Sequence, residues 1–262
     1  MIDLGKQLSQ AVWLAERMAD AARPVVMRFF RTSALAIDAK ADASPVTVAD
    51  REAEAAMRRM IAEAFPEHGV VGEEHGATRP DAEYVWVLDP IDGTKSFVTG
   101  KPLFGTLIAL LHRHRPVIGV IDMPALGERW VGVDGEATRF NGAPARARAC
   151  PGLPSAWLYA TSPHMFQGRD AEAFQRLGGR CRAILYGADC YAYGLLANGT
   201  VDLVCEAAMQ PYDYCALVPI VSGAGGVITD WAGGELTLDS DGRVLAAGDP
   251  GLYAAAREVL AH

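Results

Sequence analysis

The segment Tyr84-Val-Trp-Val-Leu-Asp-Pro-Ile-Asp-Gly-Thr-Lys-Ser96 constrains this chain more than any other. Its first half is a short apolar run of the kind that forms a buried strand. The run ends in two carboxylates, Asp89 and Asp92, followed by a Gly93-Thr94 turn. Acidic side chains at the end of a buried strand need a cation, because a bare desolvated charge is costly. A glycine followed by a hydroxyl residue suits backbone N–H groups that approach an anion closely. Cation and anion together point to a metal-dependent enzyme acting on a phosphate.

Bulk properties narrow the partners. A chain of 262 residues, half of them hydrophobic, holds one large domain or two modest ones with a sizeable core. The net charge of -8 opposes nucleic acid as a partner, since a phosphate backbone attracts a basic face. It leaves small phosphate esters open, because bound metal ions invert the local field. Cys150, Cys181, Cys190, Cys205 and Cys215 form an odd set without a C-x-x-C pair, which predicts free thiols in a reducing compartment. The N-terminal residues lack a signal-peptide pattern, and no apolar run approaches the ~18 residues of a membrane span. A soluble, cytoplasmic protein is the expectation.

Periodicity organises the rest. Leu4, Leu8, Ala11, Val12, Ala15, Met18, Ala19 and Ala22 recur at helical spacing, and Pro24 is expected to kink or end that helix. Residues 32–46 read as a mobile loop carrying Lys40, which either reaches a metal site or stays solvated. Thr47 and Asp50 suit the start of a second helix that buries Ala53, Met57, Met60, Ile61 and Ala64 and stops at Pro66. Strands are expected at 68–71, 84–88, 106–111 and 117–121, the last two as a hairpin. The Arg-, Ala- and Pro-rich stretch 144–154 divides an N-terminal α+β domain (1–145) from a C-terminal α/β domain (146–262). Strands near 156–160, 201–205 and 226–230 alternate there with helices near 170–177, 190–198 and 213–223.

Glu73 and Glu74 after Gly72, then Asp89 and Asp92, then Asp213 after Pro211-Tyr212, are the acidic residues that stand out. Meeting in space, they form an all-oxygen pocket suited to a hard ion such as Mg2+ or Mn2+, and the absence of histidine among them disfavours zinc. Asp89 and Asp92 bracket Pro90-Ile91, so both can face one site with the Ile91 carbonyl, and two ions can share Asp89. Singly these signals are weak: a Glu-Glu pair is usually solvated, and Asp213 alone reads as a helix cap. Their joint order carries the argument.

Gly72-Glu73-Glu74, Trp86-Val-Leu-Asp89-Pro-Ile-Asp92-Gly-Thr94 and Pro211-Tyr-Asp213 through Gly225-Gly226 resemble the motifs of the inositol monophosphatase family, with Tyr212 in place of the usual tryptophan. The resemblance implies a layered αβαβα sandwich of the inositol monophosphatase and fructose-1,6-bisphosphatase type, a homodimer, and Mg2+-dependent hydrolysis of a small phosphate monoester. Two or three ions per subunit are implied, with Mn2+ as a substitute. Glu73, Asp89 and the Ile91 carbonyl are implied as ligands of one ion, and Asp89, Asp92 and Asp213 as ligands of a second. Glu73 and Thr94 are implied to position and deprotonate the attacking water, with Asp50 buttressing Thr94. The Gly93 and Thr94 amides are implied to hold the phosphate, with Asp92 and Asp213 also lining the substrate site.

Within the family, segments 94–97, 102–110, 186–194 and 211–219 resemble the histidinol-phosphate phosphatase branch of histidine biosynthesis. Inositol-specific members carry a small apolar residue where Asp189 stands, and Glu206 matches a carboxylate that touches the non-phosphate end of the substrate. A carboxylate at the substrate mouth favours the amine and imidazole of histidinol phosphate over a neutral polyol. The competing reading of Asp189 is a cap on the helix that starts near Cys190. Ser222 departs from a glutamate common among relatives. Two other functions remain in view: an inositol or sugar monophosphatase, and a non-catalytic regulatory binding protein that keeps a relic metal site.

Overall fold

Alternation along one strand builds the layers. In the computed structural model, which describes residues 4–32, 37–39 and 45–261, the strand Tyr84–Asp92 buries Trp86 and Leu88 on one face and Val85 and Val87 on the other. Successive side chains point to opposite faces, so an unbroken apolar run demands cover on both sides. On the first face lie α1 (Leu4–Phe29) and α2 (Val48–Ala64), packed through Met18, Ala22, Val26, Ala53, Met57 and Ile61. α3 (Thr94–Val98) follows the strand directly, and α4 (Gly168–Gly178) belongs to the far side of the molecule. The second face meets α5 (Tyr191–Ala197), α6 (Pro211–Tyr214) and α7 (Leu217–Gly223) through Tyr193, Leu196, Tyr214, Leu217 and Ile220. A second sheet covers those helices with Val204, Val244 and Ala246, and its other face holds α4 and α8 (Pro250–Ala261). The order is helix, sheet, helix, sheet, helix.

The larger sheet runs Ala143–Pro144, Arg139–Phe140, Glu128–Val133, Arg115–Met123, Gly105–His112, Tyr84–Asp92, Gly69–Gly72 and Gly76–Thr78 in space. Its one parallel pair joins Gly69–Gly72 to Tyr84–Asp92, which brings the two acidic strand ends side by side. The smaller sheet runs Ala183–Tyr186, Trp157–Ala160, Leu203–Glu206, Val244–Ala247 and Val227–Thr229. α7 lies directly on the larger sheet, because a Cβ on Gly119 would sit 1.9 Å from the Ala216 carbonyl oxygen. That close approach seats α6, and Asp213 with it.

Several expectations need correction. α1 passes through Pro24 without ending there. Pro24 removes one backbone bond, but Arg23 beside it grips the fully buried Asp122 at 2.6 Å, and Arg129 binds the same carboxylate at 2.7 Å. Within 32–46, Ile37–Ala39 pairs antiparallel with Pro45–Thr47, so part of the expected loop is a ribbon; Lys40 lies outside the described residues. Ala64, expected in the core, is exposed. The single helix expected over 213–223 is two, since Pro219 cannot donate back to Cys215 and α7 begins afresh at Leu217. The strands Glu128–Val133, Ala183–Tyr186 and Val244–Ala247, and α8, have no counterpart in the sequence reading. The expected hairpin turns at Arg113 and His114, both with positive φ. Trp130 is a core residue whose Nε1 donates to Asn198 at 3.0 Å, and all five cysteines are free. Among the described residues no helix is long and apolar enough to cross a membrane.

His68 closes the far end of the larger sheet, stacked between Phe65 and Tyr84 with its Nδ1 accepting from Trp86 Nε1 at 3.1 Å. Burial, and then the Arg79 charge, hold it down at about 4. The unfolded chain therefore takes up a proton near pH 6.5 that the folded chain refuses, and stability is lost as pH falls from 6.5 through about 4. The whole window is worth on the order of 3 kcal/mol. Denaturant unfolding at pH 7 and pH 4 should show a smaller loss for His68→Phe than for the unsubstituted protein. Equal losses would exclude His68 as the responsible group.

Candidate active site

Residues three apart on a regular strand face opposite ways, so Asp89 and Asp92 reach one site only if the strand is broken. It is: Asp89 pairs with Leu107 and Asp92 with Gly105, which leaves an extra residue at the Pro90-Ile91 bulge. Thr106 Oγ1 secures the bulge by donating to the Pro90 carbonyl at 2.8 Å. Asp89, Asp92 and Asp213 then offer oxygens that all lie within 4.8 Å of one another. Asp213 is not the N-cap of α6 but its third residue, completing a capping box with Gln210 by accepting from the Gln210 amide at 2.7 Å.

A second cluster gathers Asp50, Glu73 and Glu74 within the same 4.8 Å limit. The turn that carries the two glutamates is tied to α2 by Glu54, fully buried, which accepts from the Glu74 amide at 2.7 Å and the His75 amide at 3.2 Å. Arg58 neutralises Glu54 at 2.6 Å. The first implied ligand set is thus divided: Glu73 groups with Asp50 and Glu74, while its charge still reaches Asp89 and Asp213. The Ile91 carbonyl accepts from Thr94 Oγ1 at 3.1 Å, which leaves it one further lone pair.

Burial pushes Asp89 well above the ordinary carboxylate range, and the charges of Glu73, Asp92, Asp213 and Asp50 push the same way. Burial likewise raises Asp92, followed by the charges of Asp189 and Asp213. Asp213 is pushed up to about 7, again chiefly by burial. Asp89 is 2 % exposed, and its Oδ1 is buried without a hydrogen-bond partner. An all-oxygen donor set with an unpartnered buried carboxylate oxygen fits a hard divalent cation, Mg2+ or Mn2+.

Residues 7–261 match the model of the inositol monophosphatase family. The chain belongs to that family. It is 47% identical over 263 residues to the bifunctional phosphatase IMPL2, chloroplastic, of Arabidopsis thaliana, covering 97% of this chain and 76% of the relative. It is 33% identical over 234 residues to a histidinol-phosphatase of Chlorobaculum parvum, covering 89% and 90%. A solved inositol monophosphatase from Zymomonas mobilis superposes with a TM-score of 0.90 at 48% identity, covering 97% of this chain and 98% of that one. The protein is therefore an enzyme, a phosphatase of the inositol monophosphatase fold.

Beside the metal-fitting cluster this phosphatase has a cavity of about 160 Å³. Asp92 and Asp213 of the cluster line it together with Asp189, Glu206, Met165 and Tyr193. Glu206, 2 % exposed, is held by the Thr161 amide at 2.7 Å and the Tyr193 hydroxyl at 2.9 Å. Asp189 does not cap α5; its Oδ2 accepts from Ser96 Oγ at 3.3 Å, and the Cys190 amide donates to Asp92 at 2.6 Å. Gly93 adopts φ +85, and a Cβ there would lie 3.2 Å from the Asp189 carboxylate, so the turn and the carboxylate meet only because the residue is glycine. Ser222 is exposed and lines a separate cavity with Arg115 and Glu235. Sequence reasoning gave no role to Glu54, Ser96, Lys101, Thr161 or Tyr193. Glu54 had a faint signal, four residues after Asp50 and so on the same helical face.

Without a cation, Asp213 in the folded chain keeps its proton until about pH 7, whereas an ordinary aspartate gives it up near 3.8. The folded chain holds protons there that the unfolded chain releases, so metal-free stability falls with rising pH. Saturating Mg2+ should raise the thermal midpoint more at pH 7.5 than at pH 5, by roughly 5–10 °C at a hundredfold excess over Kd. Asp213→Asn should flatten that difference. A Mg2+ shift equal at both pH values would contradict the assignment.

Proposed function

We propose that this phosphatase hydrolyses L-histidinol phosphate to L-histidinol and phosphate. The observation that carries the reading is the cavity lining, where Asp189 and Glu206 add two carboxylates beyond the metal-fitting cluster and, among the described residues, no basic side chain lines the space. A wall of that sign favours a substrate that is anionic at the phosphate and cationic at the other end. The relative named a histidinol-phosphatase is consistent with this. A neutral polyol phosphate would meet the same carboxylates without a charge to match them.

Glu73, Asp89, Asp92 and Asp213, with the Ile91 carbonyl, would hold Mg2+ or Mn2+, and Asp50 and Glu74 stand beside Glu73. The bound ions would supply Lewis-acid polarisation of the phosphoryl group and neutralise charge that builds up on its oxygens. Gly93 and Thr94 open α3, so their N–H groups lack intrahelical acceptors and face an anion. Glu73 and Thr94 orient the attacking water, and Glu73 takes its proton, with Asp50 supporting the pair. The water oxygen bonds to phosphorus, the ester P–O bond breaks, and the departing alkoxide becomes the alcohol by taking a proton from solvent, which the proton held on Glu73 restores. Asp189 and Glu206 receive the ammonium and imidazole.

Two measurements test this. With Mg2+, kcat/KM for L-histidinol phosphate should exceed that for inositol 1-phosphate by about 10²-fold or more, a ratio charge pairing can supply. Equal or better turnover of the inositol ester sinks the reading. Asp189→Asn and Glu206→Gln should each shrink the ratio by about tenfold, chiefly through KM. Asp89→Asn should lower kcat for every ester by about 10³-fold or more, because it removes a buried carboxylate ligand of the metal.

A further inference from the structure

Three contacts cross from the phosphate side of the site to the turn that carries Asp189. Asp92 Oδ2 accepts from the Cys190 amide at 2.6 Å, and Ser96 Oγ donates to Asp189 Oδ2 at 3.3 Å. The third comes from Lys101, whose ammonium donates to the Gly187 carbonyl. Lys101 is itself tied to α3, since its amide donates to the Ser96 carbonyl at 2.8 Å. The turn needs such fastening: Gly187 has φ +81 and Asp189 φ +48, and the second is a left-handed conformation held by a residue with a Cβ.

We infer that Lys101 is a positioning residue for substrate selection. It pins the turn 187–190 to the segment that receives the phosphate, and so fixes the Asp189 carboxylate in the cavity wall beside Gly93. The inference rests on the reading of Asp189 as the recognition carboxylate.

Lys101 acts on that carboxylate in two opposed ways. Its charge competes with a cationic substrate, whereas its hydrogen bond holds Asp189 where the substrate needs it. Its direct contact is with the Gly187 carbonyl, so its hydrogen bond holds the turn itself. The positional effect wins, and removing the ammonium weakens cationic substrates instead of tightening them.

The test compares Lys101→Met, Lys101→Arg and the unsubstituted enzyme with Mg2+, on L-histidinol phosphate and on inositol 1-phosphate. Amide hydrogen exchange over 187–193 is measured in parallel. Lys101→Met should raise KM for L-histidinol phosphate about tenfold with kcat changing less than about threefold, and leave KM for the inositol ester within about twofold. Lys101→Arg, which keeps a donor and a charge, should restore KM. Exchange over 187–193 should quicken in Lys101→Met and not in Lys101→Arg. A KM that is unchanged, lower, or raised equally for both esters overturns the selection role. If the unsubstituted enzyme shows no preference between the esters, the reading of Asp189 fails, and the exchange experiment still decides the pin: unaltered exchange in Lys101→Met overturns it.

Discussion

Mutual repulsion among buried carboxylates is the constraint around which this molecule is built. Asp89 sits at the end of a strand covered on both faces, where water cannot screen it, and four other acidic groups raise its proton affinity further. Such a cluster is unfavourable in an isolated fold and favourable once a divalent cation fills it. Hydrophobic layers on both sides supply the stability that lets the arrangement persist, as active sites commonly require.

Each layer delivers a part of the cluster. α2 contributes Asp50 and, through Glu54, fixes the turn that carries Glu73 and Glu74. The parallel pairing of Gly69–Gly72 with Tyr84–Asp92 sets those glutamates beside the aspartates. The bulge turns Asp92 toward Asp89, and the bare backbone of Gly119 lets α6 and α7 press down with Asp213. The substrate cavity then falls between the two sheets' contributions, with Asp92 on one side and Glu206 on the other. The metal-fitting cluster and the Asp189 carboxylate thus come from different parts of the chain, joined at the turn 187–190.

Much of this was legible in the order of residues. The apolar run before Asp89, the helical spacing after Leu8 and the alternation of elements beyond 156 all come from local periodicity, which survives without tertiary context. The acidic residues of the site were likewise legible as types. The path of α1 through Pro24 was not, because the Arg23–Asp122 pair spans 99 positions. The break between α6 and α7 was not, because one proline had to be weighed against an otherwise helical pattern. Glu54 stayed hidden because a buried glutamate on a helix looks the same as a solvated one until its partners are known.

The sequence by itself determined the chemistry: a strand ending in carboxylates, a glycine-hydroxyl turn, and a spacing of acidic residues that only a hard cation reconciles. Tertiary structure decided the geometry. Whether Asp89 and Asp92 share a face depends on a bulge, which is a matter of register between two strands. Whether Asp189 caps a helix or lines the cavity depends on partners such as Ser96, far along the chain. Local pattern fixes what a residue can do, because its chemistry travels with it; what it does depends on partners that only folding brings within reach.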